Sequence, residues 1–147
     1  MAFGANLGKA QATVLQAIQD IGALATTQLV KASSLYASAP HEATGPEFIN
    51  AVAIYETDLR PLELLDALQN LENIAGRERP FPNAPRTLDL DIIFYDDVGL
   101  DSPQLSLPHP RWQERAFVLV PLAEINPEKV SLGSLENVAN QPIRRVR

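Results

Sequence analysis

The sequence contains no cysteine among its 147 residues. Disulfide bonds, cysteine-ligated zinc sites and thiol nucleophiles are therefore excluded. It has no apolar run of about 18 residues, the minimum for a membrane-spanning helix. Its N-terminus also lacks a charged stretch followed by an apolar core, the pattern of a secretory signal. These absences predict a soluble, cytoplasmic protein with no membrane partner.

Basic residues are also scarce, with 12 Lys and Arg against 18 Asp and Glu and a net charge of −6. Because neutralisation of phosphates dominates sequence-independent binding to nucleic acids, we expect no nucleic-acid partner. Nine of the basic residues are Arg, the side chain suited to bidentate phosphate recognition. Five of these lie close together in the sequence and predict a local site for a phosphate-bearing small molecule: Arg77, Arg79, Arg86, Arg111 and Arg115.

The length and a hydrophobic content of 46% predict one domain, residues 1–147, with a sizeable core. Apolar residues at helical spacing predict helices over residues 9–24 and 60–77, the second with Pro61 in its first turn and Gly76 just past its end. Runs rich in β-branched and aromatic residues predict strands over 28–40, 48–57 and 87–95. AFGANLG is interpreted as a short first strand, the segment 116–125 as a last helix and IRRVR as a solvated tail.

The predicted order is strand, helix, strand, strand, helix, strand. This is the βαββαβ plan of ferredoxin-like folds. It belongs to the α+β class, in which a mainly antiparallel sheet has helices packed on one of its faces. We also expect the protein to be a monomer.

Two aspartates interrupt the apolar run of the predicted strand 87–95. Because side chains alternate along a strand, Asp89 and Asp91 share one face. They would lie about 6.5 Å apart, and two full charges at that distance repel by about 2.5 kcal/mol at an effective dielectric constant near 20. The opposite face would be the core face and would hold the apolar positions of the same run: Leu88, Leu90, Ile92 and Phe94.

This pair of charges can be accounted for in three ways. Water can screen them on a solvated sheet face, or Arg77, Arg79 or Arg86 of the preceding loop can form salt bridges with them. Alternatively, both carboxylates bind Mg²⁺, which takes its remaining ligands from water and from substrate phosphates. The arginine-bearing loop before the strand and the segment LPHPRWQERAF after it favour a site for a metal and a nucleotide, because carboxylates and guanidinium groups are the two components of phosphoryl-transfer sites.

Four segments together resemble a known family in their order and spacing. They are GANLG, FINAVAIYET, GRERPFPNAPRTLDLDIIFYDD and LSLPHPRWQERAFVLVPLAEI. The family is that of the 6-hydroxymethyl-7,8-dihydropterin pyrophosphokinases of folate biosynthesis, and the resemblance extends from about Gly4 to about Pro127. It implies transfer of a diphosphate unit from ATP to the hydroxymethyl group of the pterin, release of AMP, and the use of two Mg²⁺ ions.

The resemblance also implies roles for individual residues. Asp89 and Asp91 would hold both metal ions, and Arg77 and Arg86 would contact phosphates as catalytic residues. Positions implied for ATP binding are Gln69, Glu72, Arg79, Ile92, His109 and Arg115. Positions implied for pterin binding are Ser38, Ala39, Pro40, Phe48, Asn50 and Phe117.

Several of these positions also fit a purely structural role. Phe48 can be an ordinary core aromatic, His109 a structural histidine between prolines, and Gln69 and Glu72 part of a solvated helix face. The chain departs from the family pattern where the arginine-bearing loop is one residue shorter and lacks a tryptophan, for which Phe81 stands in. Phe48 also replaces the usual tyrosine.

Two other functions compete with the pyrophosphokinase hypothesis. A ferredoxin-like domain can serve as a small-molecule sensor without catalysis, because fold alone does not determine function. The chain could also be a different metal-dependent transferase, such as a nucleotidyl transferase, which would release pyrophosphate and not AMP. The sensor would have no need for the aspartate pair and its arginines.

Overall fold

The computed structural model describes residues 1–6, 8–39, 46–76 and 88–146. Within them, no helix is long and apolar enough to cross a lipid bilayer. The strands are β1 (Ala2–Ala5), β2 (Thr27–Ala32), β3 (Tyr36–Ser38), β4 (Phe48–Thr57), β5 (Asp89–Asp91), β6 (Leu100–Asp101), β7 (Ser106–Leu107) and β8 (Ile143–Arg145). The helices are α1 (Ala10–Gly22), α2 (Pro61–Ala75), α3 (Ala116–Ile125) and α4 (Leu132–Asn137), with 3₁₀ turns at Trp112–Glu114 and Pro127–Lys129.

The main sheet has the strand order β5-β1-β4-β3-β8, and β2 also pairs with β4. Every pairing within it is antiparallel. The first part of the chain therefore follows the predicted βαββαβ plan, and the α+β class is confirmed. Strands β6 and β7 form a separate two-stranded hairpin.

Helices cover both faces of this sheet, so the prediction that they occupy one face is wrong. Phe3 and Ala51, which are paired across β1 and β4, pack in the core cluster that contains the buried residues of α1 and α2. Their neighbours Ala2 and Val52 point the other way and pack against α3. Helix α3 is apolar nearly all round, and it therefore needs cover from the sheet on one side and from the C-terminal segment on the other.

The predicted strand over residues 28–40 is two strands, β2 and β3. Both pair with the ten-residue strand β4, whose predicted bounds are confirmed. The interruption begins at Ser33, whose hydroxyl oxygen accepts the Val52 N–H at 2.9 Å. This hydroxyl takes up a backbone group that a continuous strand would have paired, and a further irregularity lies between Leu29 and Lys31.

The aspartate-bearing strand is also shorter than predicted, because β5 contains only Asp89–Asp91. Leu88, Leu90 and Ile92 lie in the core beneath α1 and α2 as expected. Phe94 does not join them, since the chain has left the strand conformation by then and its ring packs on the α3 side.

One prediction, at the C-terminal end of the chain, was wrong. The C-terminal residues are not a solvated tail, because β8 pairs with β3 and the Val146 N–H donates to the Leu35 carbonyl at 2.8 Å. Gly76 lies just past the end of α2, as predicted, although its φ of −97° is not the left-handed conformation that often selects glycine there.

Glu124 of α3 ties the helix to the sheet. Its carboxylate accepts hydrogen bonds from the Ser34 N–H at 3.0 Å and the Tyr36 hydroxyl at 2.6 Å, and Arg145 Nη2 lies 3.9 Å from it. Burial raises the pKa of Glu124, but these hydrogen bonds and the arginine outweigh it, so the net pKa is lowered. Burial and the same hydrogen bond raise the pKa of Tyr36 to about 12.

Replacing Glu124 by Gln keeps its size and an acceptor oxygen but removes its charge. Because the folded-state pKa lies below the ordinary value of 4.5, the charge stabilises the fold above that pH, and the stabilisation is lost as the pH falls through the lowered pKa. We expect the wild type to be more stable than Glu124→Gln by about 0.5–1 kcal/mol near pH 7, and equal to it in acid. Urea unfolding at a series of pH values measures this. A difference that does not vary with pH would contradict it.

Candidate active site

The site is built on the α3 side of the sheet, across three neighbouring strands. Gly4 of β1 lies opposite Asn50 of β4 on one side and opposite Asp89 of β5 on the other. Two residues earlier on β1, Ala2 lies opposite Val52 of β4 on one side and opposite Asp91 of β5 on the other. Because directly opposed residues point to the same face and Val52 packs against α3, both aspartates and Asn50 face the α3 side.

A cavity of about 610 Å³ opens on this face, and we name it the sheet-face cavity. The strands supply its floor, and the start of α3 with the 3₁₀ turn before it supplies one wall. Eight residues predicted for the site line it: Ser38, Ala39, Phe48, Asn50, Asp89, Asp91, Arg115 and Phe117.

Asn50 is 3% exposed, and its hydrogen bonds determine its orientation. Its Nδ2 donates to the Ser38 hydroxyl at 2.8 Å and to the Phe48 carbonyl at 3.4 Å. Because a carbonyl can only accept, the amide nitrogen must face Phe48. The Asn50 Oδ1 therefore points towards Gly4, where a Cβ would lie 3.6 Å from it. The absence of a side chain at Gly4 leaves this oxygen accessible from the cavity.

The two aspartates differ in their surroundings. Asp89 is exposed, whereas Asp91 is half-buried. Burial, followed by the charge of Asp89, raises the pKa of Asp91, and His109 and Arg115 act in the opposite direction. The site therefore disfavours negative charge at Asp91 and would favour a cation beside it. Within the described ranges, no group of three or more His, Cys, Asp or Glu residues could hold a metal ion.

Arg115 is the cation that approaches this carboxylate. It precedes the first residue of α3, its Nη1 lies 4.0 Å from Asp91 Oδ2, and its guanidinium lies 5.4 Å from the centre of the Phe117 ring. A separation of 4.0 Å is at the limit for an ion pair, so Arg115 only partly compensates Asp91.

A second cavity, of about 270 Å³, lies on the other side of Asp91, and we name it the hairpin cavity. It is bounded by residues 102–106 of the β6–β7 hairpin, by Leu65 of α2 and by His109. Asp91 lines both cavities, and Ile92 also lines the hairpin cavity.

His109 is held between two backbone groups. The backbone N–H of His109 donates to the Ile93 carbonyl at 2.8 Å. The ring Nδ1 of His109 accepts the backbone N–H of Arg111 at 3.1 Å. The neutral ring therefore carries its proton on Nε2. Burial lowers the pKa of His109, although the charge of Asp91 acts in the opposite direction. The net lowering favours the neutral form of the ring.

Aromatic packing supports the segment between His109 and Arg115. Trp112 meets the Phe94 ring edge-on, with ring centres 4.8 Å apart, and Lys129 Nζ lies 5.0 Å from the centre of that ring. The contact joins the chain after β5 to the turn before α3.

The remaining predicted residues either line neither the sheet-face cavity nor the hairpin cavity, or lie outside the described part of the chain. Glu72 accepts the Leu90 N–H at 2.9 Å and so joins α2 to β5, while Gln69 is exposed one turn earlier. Neither lines either cavity as the described residues define it. Four predicted residues lie outside the described part of the chain: Pro40, Arg77, Arg79 and Arg86.

Several lining residues were not predicted, among them Gly4, Glu114, Gln141 and Pro142. Arg111, which was predicted only as a member of the arginine cluster, also lines the cavity. Gly4 carries a recognisable signal, because glycine inside a strand often marks the close approach of another group. Gln141 carries no such signal in the sequence, since it lies far along the chain from every residue predicted for the site.

A third cavity, of about 660 Å³, surrounds the far end of β4. Of the described residues predicted for the site, only Ile92 lines it.

The fold and site together define a class of protein. Two carboxylates and an arginine line one cavity of this α+β domain, and one of the carboxylates, Asp91, also lines a second cavity. This arrangement fits an enzyme that transfers phosphate groups. Residues 1–127 match the profile of the family described as 7,8-dihydro-6-hydroxymethylpterin-pyrophosphokinase. The chain belongs to this family, whose members are diphosphotransferases that use ATP as co-substrate.

Individual relatives carry corresponding names. A 2-amino-4-hydroxy-6-hydroxymethyldihydropteridine pyrophosphokinase from Pseudomonas aeruginosa is 45% identical over 129 residues, which is 87% of this chain and 80% of the relative. The enzyme of the same name from Haemophilus influenzae is 43% identical over 126 residues, 85% of this chain and 79% of its own. That from Bacillus subtilis is 39% identical over 127 residues, 85% and 75% respectively.

Removing the Ser38 hydroxyl should destabilise the site. In Ser38→Ala, the buried amide nitrogen of Asn50 keeps only its longer contact with Phe48, and a buried donor without a good partner costs about 1–2 kcal/mol. Urea unfolding measures the loss. The matched control is Ser106→Ala, at a half-buried serine outside the sheet-face cavity, where we expect less than about 0.5 kcal/mol. Equal losses in the two variants would contradict the role of Ser38.

Proposed function

We propose that this chain transfers a diphosphate unit from ATP to the hydroxymethyl group of 6-hydroxymethyl-7,8-dihydropterin. The hydroxyl oxygen of the pterin forms a bond to the β-phosphorus of ATP, and the bond from that phosphorus to the α–β bridging oxygen breaks. The O–H bond of the pterin hydroxyl also breaks, and the products are the pterin diphosphate, AMP and a proton. Family membership supports this assignment, as do the names of relatives that align with most of this chain.

The observation that carries the proposal is the position of Asp91 between two cavities. A transferase for two substrates must bring both to one place with their reacting atoms in contact. A pterin in the sheet-face cavity and a nucleotide in the hairpin cavity would meet at this carboxylate.

The sheet-face cavity has the chemistry that a pterin requires. Asn50 Oδ1 offers an acceptor to the amino and ring N–H groups of the heterocycle, because Asn50 Nδ2 is already bonded to Ser38 and Phe48. Phe48 and Phe117 line the same cavity and supply faces on which a flat ring can stack. Ser38 and Ala39 close its edge.

The hairpin cavity suits the nucleotide and its phosphates. Neutral His109 would donate from Nε2 to a phosphate oxygen, and Ile92 would give apolar contact. Arg115 would turn towards the phosphates from its incomplete pairing with Asp91. Gln69, Glu72 and Arg79 are proposed to complete ATP binding, and Arg77 and Arg86 to contact the transferred phosphates.

Asp89 and Asp91 are the residues that would hold magnesium. Two carboxylates without a third protein ligand in the described chain fit Mg²⁺, which keeps several waters and takes substrate phosphates as ligands. The raised pKa of Asp91 also fits a site that is completed by positive charge. When bound, Mg²⁺ neutralises phosphate charge and lowers the pKa of a coordinated hydroxyl. We propose two ions, as the family resemblance implies.

The direct test is to incubate the protein with ATP, Mg²⁺ and the hydroxymethyl-dihydropterin and to measure AMP. We expect AMP and pterin diphosphate in equal amounts, and a loss of at least about 10²-fold in turnover for Asp89→Ala and Asp91→Ala. Both variants should remain folded by circular dichroism, because removing one of two like charges relieves their repulsion.

The competing functions give different products. Release of pyrophosphate would indicate a nucleotidyl transferase, and tight pterin binding without AMP would indicate a sensor. Turnover near the wild-type rate in either aspartate variant would reject the assignment of the metal-binding residues.

Gly4→Ala tests the pterin position separately. The new Cβ would lie 3.6 Å from Asn50 Oδ1, an ordinary contact distance, so the variant should fold normally. The methyl group would occupy the space in front of this oxygen, and we expect pterin affinity to fall about tenfold or more, a loss of roughly 1.4 kcal/mol. Calorimetric titration with the pterin measures this, with ATP affinity as the internal control. Unchanged pterin affinity would place the pterin elsewhere.

A further inference from the structure

Gln141 makes two hydrogen bonds that bracket Arg115. Its Oε1 accepts the Ala116 N–H at 2.9 Å, and its Nε2 donates to the Glu114 carbonyl at 2.9 Å. These two backbone groups belong to the residues immediately before and after Arg115. One side-chain amide therefore holds the backbone on both sides of this arginine.

Gln141 supplies a partner that the start of α3 otherwise lacks. Ala116 is the first residue of α3, and the first N–H groups of a helix have no acceptor within it. Arg115, which occupies the capping position, makes no side-chain capping bond. The carbonyl of Arg115 is itself engaged, because it accepts the N–H groups of Val118 and Leu119 at 3.1 and 3.0 Å. With Gln141 in place, the peptide groups on both sides of Arg115 are restrained.

Gln141 is anchored by the segment on either side of it. Val138 is 4% exposed and packs in one cluster with Ala116 and Leu119. The Gln141 N–H donates to the Val138 carbonyl at 2.9 Å, and β8 begins two residues later and pairs with β3. The amide is therefore presented from a short turn that is fixed at both ends.

We propose that Gln141 is a positioning residue, which holds Arg115 in the orientation that reaches the phosphates of ATP. The proposal rests on the function proposed above, because that function assigns Arg115 to ATP. Gln141 lies beyond residues 1–127, the part of the chain that matches the family profile. The C-terminal segment thus contributes to the site by holding the backbone on both sides of Arg115.

Gln141 can affect ATP binding through the backbone of Arg115. The orientation of the Arg115 backbone sets the direction of its long side chain, whose guanidinium lies near both Asp91 and the Phe117 ring. Small displacements of a substrate-positioning group have large effects on affinity and rate. Gln141 itself is solvent-exposed, so its bond to the Glu114 carbonyl competes with water. Ala116 is buried, so loss of the acceptor for its N–H would also lower stability somewhat.

The experiment measures Mg²⁺-ATP binding by calorimetry without pterin, because Gln141 lines the sheet-face cavity and a bound pterin would obscure its effect on ATP. We expect Gln141→Ala to weaken ATP binding about tenfold, roughly 1.4 kcal/mol, while the variant stays folded with a small fall in the urea midpoint. Gln141→Glu keeps the acceptor for Ala116 but loses the donor to Glu114, and should be intermediate. Asn140→Ala, at the exposed neighbour, should bind ATP as the wild type does.

A double-mutant cycle separates this proposal from the proposed function. If Gln141 acts through Arg115, Gln141→Ala should have no further effect in an Arg115→Ala background. The positioning role is overturned if Arg115→Ala weakens binding while Gln141→Ala and Gln141→Glu do not, or if the two effects add. If the wild type does not bind Mg²⁺-ATP, the proposed function fails. The positioning role is then decided by the NMR order parameter of the Arg115 Nε–H bond: a lower value in Gln141→Ala supports it, and an unchanged value overturns it.

Discussion

The repulsion between Asp89 and Asp91 is the constraint around which the site is organised. The chain places both carboxylates on one face of a three-residue strand, and partial burial makes the charge of Asp91 still less favourable. Arg115 approaches only to 4.0 Å, so the described part of the protein compensates this charge incompletely. Among the described residues, positive charge beside Asp91 is therefore incomplete, which suits this position to binding a cation.

The two faces of the sheet differ in polarity. The face towards α1 and α2 is continuously apolar and contains most of the core. The α3 face is apolar near Val52, Ile93 and Leu122 but polar near Asn50 and Asp89, where the helix begins and the cavity opens. Because one helix spans both regions, the packing that anchors its end also places Arg115 and Phe117 at its start.

The elements that could be predicted from the sequence are those with a strong local pattern. Helix α1, strand β4 and helix α3 each have apolar periodicity or composition over ten or more residues, and all three were confirmed. Strands β3 and β8 have three residues each, too few for a pattern, and exist because β4 and β3 offer edges for pairing. The division at Ser33 depends on a hydroxyl that meets Val52 in space, which local sequence does not reveal.

The same distinction applies to the site. Charged residues within an apolar run are visible in the sequence, and Asp89 and Asp91 are therefore recognisable as candidates from the local pattern. Gly4 and Gln141 line the same cavity, but their contributions depend on strand register and on a contact between distant parts of the chain. The sequence therefore reveals groups that carry charge more readily than groups that make room for a ligand or hold a backbone in place.

The contact between Trp112 and Phe94 has a practical consequence. Trp112 is the sole tryptophan of the chain, and it lies in the short turn between His109 and Arg115, half-buried against the Phe94 ring. Indole emission depends on polarity and on neighbouring quenchers, so the protein contains a built-in optical probe of this turn. Its emission spectrum can report changes in the packing of this turn without a dye or a label.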